Sequence, residues 1–140
     1  MSKAVTPSVS ELVADATRAK EKSKAEFSGF RVGAAIETAG GKVYSAFNIE
    51  SSSYGLSMCA ERIAIWSAVN SGETRFKRVA IVSDAKDFCT PCGACRQVLF
   101  ELAGDIEVYL TNGLGEMRNY RLSSLLPEAF TSKTLLNGRD

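Results

Sequence analysis

Ser57-Met58-Cys59-Ala60-Glu61-Arg62 and Thr90-Pro91-Cys92-Gly93-Ala94-Cys95-Arg96 are the two stretches on which the fold of this 140-residue chain turns. Each has the form of a helix starting after a polar loop. Ala60, Ile63, Ala64, Ser67 and Ala68 carry the first along one face to about Asn70-Ser71-Gly72, and Cys95, Val98, Leu99, Leu102 and Ala103 carry the second to Gly104. Thr90 and Pro91 start that second helix. Together the stretches offer three thiols and one acid. The chain contains no histidine, so a transition-metal site must be built from sulfur and carboxylate, and a general base must be something other than imidazole.

Outward from these helices the pattern alternates between the two hydrophobic periods. Ser8-Val9-Ser10-Glu11 fits a capping box, and Val9, Leu12, Val13, Ala16 and Ala19 follow at helical spacing, giving an amphipathic helix to about Lys24. Arg31 to Glu37 and Lys42 to Asn48 read as strands joined by a tight Thr38-Ala39-Gly40-Gly41 hairpin. Lys77 to Ser83, Ile106 to Leu110 and Glu116 to Tyr120 supply three more strands, and Leu122 to Leu126 a short helical turn. The tail from Glu128 to Asp140 shows no clear element. The order implies an α/β fold of three layers, αβα, with a mixed five-stranded sheet and helices on both faces. The first cysteine helix is small or apolar on nearly every face, which places it in the middle of a fold or an assembly.

Size and charge narrow the function. A chain of this length forms one domain, residues 1–140, with a core large enough to need no disulfides. Apolar residues make up 45% and charged residues 24%, with a net charge of +1 and no block of like charge. A basic stripe with interleaved aromatics is absent, which argues against a polynucleotide partner. No apolar run reaches membrane-spanning length, and Met1 to Pro7 lacks the hydrophobic core of a signal peptide. The expected location is cytoplasmic. There the cysteines at 59, 89, 92 and 95 stay reduced, so a metal site explains three clustered thiols better than a disulfide framework.

Five blocks in order, Phe27-Ser28-Gly29-Phe30-Arg31-Val32-Gly33-Ala34-Ala35, Asn48-Ile49-Glu50, Ser53-Tyr54-Gly55-Leu56, Cys59-Ala60-Glu61-Arg62 and Pro91-Cys92-Gly93-Ala94-Cys95-Arg96-Gln97, closely resemble the small homotetrameric cytidine deaminases. The similarity runs from about Phe27 to Phe130. It departs at Phe27, where the family usually has tyrosine, and at Ser51-Ser52, usually asparagine-alanine. The resemblance implies hydrolytic deamination of cytidine and deoxycytidine in pyrimidine salvage. In it Glu61 takes a proton from zinc-activated water and delivers protons to N3 and the departing amine of cytosine. It implies that Asn48 and Glu50 hold the ribose, that backbone around Ala60 reads the base edge, and that Phe30 stacks on the pyrimidine. It also implies a homotetramer with sites shared between subunits, in which Tyr54 and Phe130 cross to a neighbour.

A catalytic zinc keeps one position open, whereas a structural zinc is closed by four protein ligands. Cys59, Cys92 and Cys95 are the expected Zn²⁺ ligands, because Glu61 beside the first supplies an acid that a closed site does not need. Their helix starts lower the thiol pKa. Arg62 and Arg96 are expected to compensate the charge of three thiolates, with at least Arg62 hydrogen-bonded to sulfur. If Cys59 sits at a helix edge it can share a site with Glu61, so the helix should begin at Met58 or Cys59. The rivals are a noncatalytic zinc module closed by Cys89, an iron-sulfur site, and a deaminase of another aminopyrimidine such as blasticidin S.

Overall fold

The computed structural model describes residues 7–137. Helix α1 (Val9–Lys20) is followed by strands β1 (Val32–Thr38) and β2 (Val43–Phe47), helix α2 (Ala60–Asn70), strand β3 (Phe76–Ser83) and helix α3 (Gly93–Ala103). Strands β4 (Glu107–Thr111) and β5 (Met117–Arg121) and the short helices α4 (Leu122–Leu125) and α5 (Ser132–Asn137) complete the order, with a single 3-10 turn at Tyr54–Leu56. The strands form one sheet in the order β2-β1-β3-β4-β5. Only β3 and β4 run parallel, and the other three pairings are antiparallel. This is the expected mixed five-stranded, three-layer architecture.

Alternation along the strands divides the core in two. Val32, Ala34 and Ile36 of β1 join Val79 and Ile81 of β3 under α2 and α3, through Ala64, Ile65, Ala68 and Leu99. Ala35, Ala80 and Val82 face the other way, against Leu12 and Ala16 of α1. With a layer on each face, β1 is buried from end to end, as a central strand between two helical layers must be. Gly33 makes the α1 contact possible. A Cβ there would stand 2.0 Å from the Ala16 carbonyl oxygen and 2.6 Å from the Lys20 nitrogen, so the helix rests directly on strand backbone.

The Ser8 hydroxyl accepts the Glu11 N–H at 3.1 Å, capping α1, and the chain turns at Gly41 with φ of 91° between β1 and β2. Three expectations shift. The first helix stops at Lys20 rather than Lys24, because Lys24 instead bridges to Ile49 beyond β2. The second cysteine helix starts at Gly93 rather than Thr90-Pro91, because Cys92 is extended and acts as its N-cap. The tail, read as lacking an element, contains α5. The expectation about the N-terminal leader falls on residues 1–6, outside the described ones.

Lys20 at the end of α1, Arg31 before β1 and Asp84 after β3 form one ion-pair group. Lys20 Nζ and Arg31 Nε donate to the Asp84 carboxylate, each at 2.7 Å. Arg31, with Lys20 adding to it, holds the Asp84 carboxyl below its usual range. A depressed carboxylate stabilises the fold above its unfolded pKa of about 4 and ceases to do so as pH falls through the lower folded value. Asp84→Asn should therefore melt a few degrees below the wild type at pH 7, and thermal scans should show the gap closing below about pH 4. Gly33→Ala should cost at least about 2 kcal/mol in denaturant titration, by overpacking strand against helix.

Candidate active site

Two helix starts converge where β1 begins and β3 ends. Ile49 and Met58 form an antiparallel bridge, N–H to carbonyl at 3.1 and 2.9 Å, which delivers Cys59 to the N-cap of α2 in extended conformation. The helical run begins one residue later than expected, at Ala60, and Cys59 sits at the helix edge as the shared site requires. Cys92 caps α3 in the same way, and Cys95 lies in its first turn, buried. Neither cap sulfur accepts a backbone N–H of its own helix, so the sulfurs are free to face one another.

The sulfurs of Cys59, Cys92 and Cys95 lie within 4.8 Å of one another, with Cys59 to Cys92 at 4.0 Å and Cys92 to Cys95 at 3.3 Å. Ligands bonded to zinc at about 2.3 Å in a tetrahedron would stand roughly 3.8 Å apart, so the three thiols fit that ion. Arg62 Nη2 donates to the Cys59 sulfur at 3.5 Å. Hydrogen bonding to Cys95, and then Arg62, draws the Cys59 thiol down to about 5. The same contact with Cys59 and burial push Cys95 upward. A thiolate already favoured beside a guanidinium is suited to a divalent cation.

Glu61 is 5% exposed, and burial raises its carboxyl above the ordinary range. It lines a cavity of about 220 Å³ with Cys59, Ala60, Phe30, Asn48 and Glu50. At the first position of α2, the Ala60 N–H has no partner within the helix and is available to a ligand. The Glu50 carboxylate accepts the N–H groups of Phe27 and Ser28 at 3.0 and 2.9 Å and the Ser28 hydroxyl. Led by that hydroxyl, these bonds hold it ionised, below its usual pKa.

Other expected residues are placed differently. Asn48 touches the cavity, but its amide first serves β1: Oδ1 accepts the Val32 N–H at 3.0 Å and the Ser23 hydroxyl, and Nδ2 donates to the Phe30 carbonyl at 2.8 Å. One amide hydrogen remains for a ligand. Arg96 does not reach sulfur. Its guanidinium donates to the carbonyls of Pro91 and Leu125, each at 2.7 Å, and to the Thr90 hydroxyl at 3.0 Å, so it fastens the loop before Cys92 instead of offsetting thiolate charge by contact. Tyr54, 76% exposed, packs edge-on to Phe27 in a neighbouring surface cavity that includes Glu50. Phe130, 55% exposed, is not among the residues lining the main cavity. Its carbonyl accepts Gln97 Nε2 at 2.9 Å.

Cys89 is outside the sulfur cluster, and its thiol faces the Thr90 carbonyl at 3.8 Å. It nonetheless lines the cavity, with Thr90, Val32 and Ile81. In the sequence its three-residue spacing to Cys92 offers it only as the fourth ligand of the rival closed site, and nothing there marks it as part of a cavity wall.

The comparisons agree with this geometry. A family profile described as the cytidine and deoxycytidylate deaminase zinc-binding region matches residues 7–111. A cytidine deaminase of Sporosarcina psychrophila is 41% identical over 128 residues, covering 91% of this chain and 94% of that one. The crystal structure of cytidine deaminase from Burkholderia pseudomallei superimposes with a TM-score of 0.86 at 43% identity, covering 89% of this chain and all of the other. A blasticidin-S deaminase of Bacillus cereus is 35% identical over 108 residues, 71% of this chain and 76% of its own. Metal analysis should find one zinc per chain in Cys89→Ser and a loss of stoichiometric zinc in Cys92→Ser. Loss in both would restore the closed four-cysteine site.

Proposed function

The chain belongs to the cytidine and deoxycytidylate deaminase family, and from that premise we propose that it hydrolyses cytidine and deoxycytidine to uridine and deoxyuridine with release of ammonia. The observation that carries the reading is Glu61, a buried carboxyl two residues from one of three convergent thiols and on the wall of the same cavity. Cys59, Cys92 and Cys95 would hold zinc, which when bound supplies a water acidic enough to act as nucleophile near neutral pH. Glu61 accepts the two protons of the water in turn, passing the first to N3 and the second to the departing amine. The water oxygen is gained at C4 and the C4–N bond is broken, so nucleoside plus water gives the uracil nucleoside plus ammonia.

The remaining groups bind and orient. Arg62 donates to Cys59 and offsets part of the charge of three thiolates. The Ala60 N–H faces the base edge, and the Phe30 ring its plane. Glu50 and the spare amide hydrogen of Asn48 take the sugar hydroxyls. Free cytosine lacks the sugar hydroxyls that these groups take, so it is a poor substrate. The charged residues lining the cavity, Glu50 and Glu61, are both acidic. A nucleotide's phosphate dianion meets no counter-charge there, which favours nucleosides over deoxycytidylate.

The reading includes a cytosolic homotetramer whose sites are completed by neighbours. Trp66 is 41% exposed on the open face of α2, in a surface hollow with Ile63 and Val69. Among the described residues, Arg62 Nε is buried without a partner. Both suit a helix covered by another copy. Light scattering should return a mass of four chains of 15.1 kDa each, and a monomeric mass with full activity would remove that part.

The decisive assay is the loss of cytidine absorbance. The wild type should turn over cytidine and lose activity to a strong chelator. Glu61→Gln should keep its zinc and fold and lose at least about 10³-fold in kcat. Faster turnover of blasticidin S than of cytidine would replace the substrate, and substantial activity in Glu61→Gln would remove the carboxyl from the chemistry.

A further inference from the structure

The hairpin of β4 and β5 grips the loop that walls the cavity. Residues 84–92 join β3 to α3 without helix or strand, yet two of them, Cys89 and Thr90, line the cavity alongside Glu61. A loop of that kind takes its position from contacts outside itself. Asn112, 3% exposed, supplies one of them. Its Oδ1 accepts the N–H groups of Leu114 and Glu116 at 3.0 and 2.9 Å, closing the hairpin turn. Its Nδ2 donates to Glu116 Oε1 at 3.0 Å and, across to the loop, to the Lys86 carbonyl at 2.8 Å. The amide's two donors and two acceptor sites are all used.

Two further contacts continue the grip. The Gly113 N–H donates to the Ala85 carbonyl at 2.6 Å, and a Cβ on Gly113 would stand 2.4 Å from the Asp84 carbonyl oxygen, so turn and loop meet backbone to backbone. The Arg118 guanidinium on β5 lies 4.2 Å from the centroid of the Phe88 ring, next to Cys89. Glu61 and Cys59, by contrast, are fixed through α2 and the Ile49–Met58 bridge, whereas the contacts of Asn112, Gly113 and Arg118 described above run to the loop. The wall of the cavity and its acid therefore have separate supports.

We propose that Asn112 and Arg118 are positioning residues for the deamination: they fix the wall formed by Cys89 and Thr90, and through it the seating of the substrate, without touching substrate themselves. The inference rests on the nucleoside deaminase reading above. Loosening the wall weakens substrate binding while the proton-transfer geometry at Glu61 persists, so the signature is a rise in KM with kcat preserved.

The test compares wild type, Asn112→Asp combined with Glu116→Gln, and Arg118→Met, all loaded with zinc. The paired substitution keeps oxygen acceptors for the turn and an amide at 116, but removes the donor to the Lys86 carbonyl. It should raise KM for cytidine about tenfold with kcat within about threefold. Arg118→Met should raise KM about threefold. Independently of turnover, peptide mass spectrometry should show Cys89 alkylated by iodoacetamide several times faster in both variants than in wild type. Unchanged KM and unchanged Cys89 labelling in a folded variant with full zinc would overturn the proposal, as would a fall in kcat at constant KM. If the paired variant does not fold, Arg118→Met decides alone. If wild type does not act on cytidine, the reading of function fails and Cys89 labelling still judges the grip.

Discussion

The meeting of three thiols at two facing helix N-termini is the constraint on which the rest of this molecule depends. A thiolate is costly to hold among like charges, and here the cost is offset by unpaired N–H groups at the helix starts and by the Arg62 guanidinium on the Cys59 sulfur. Such an arrangement tolerates little displacement. A shift of either helix along its axis would separate the sulfurs, so the fold has to fix α2 and α3 against one sheet with ångström accuracy.

The supports can be followed outward. Ile65 and Leu99, fully buried, seat α2 and α3 on the face of β1 and β3. Asn48 binds the end of β2 to the start of β1, and the Ile49–Met58 bridge passes that position on to Cys59. Behind the sheet, Gly33 admits α1 and the Asp84 group ties its end to both central strands. The opposite layer thus contributes to the site although no α1 residue lines the cavity.

Much of this is legible in the residues themselves. The five strands and four of the helical elements follow from hydrophobic period and from Gly41, Gly72 and Gly104, where the chain takes positive φ. The thiols and Glu61 follow from the spacing at the two helix starts and the absence of histidine. What is not legible depends on pairing across distant segments. Asn48 reads as a sugar contact alone until its amide is seen also bonded to Phe30 and Val32, which leaves one hydrogen for a ligand, and Arg96 reads as a charge partner until its donors are seen on Pro91, Thr90 and Leu125. Cys89 is a loop residue in sequence and a cavity wall in space. The α5 helix has only six residues, too short for a helical period to stand out in the sequence.

The central claim is that sulfur from three cysteines holds the metal and leaves one position for a light atom. Zinc-edge X-ray absorption of the purified protein measures this most directly. The account predicts three sulfur scatterers at about 2.3 Å and one oxygen or nitrogen at about 2.0 Å. Four sulfur scatterers would contradict it, because the open position beside Glu61 would then be filled.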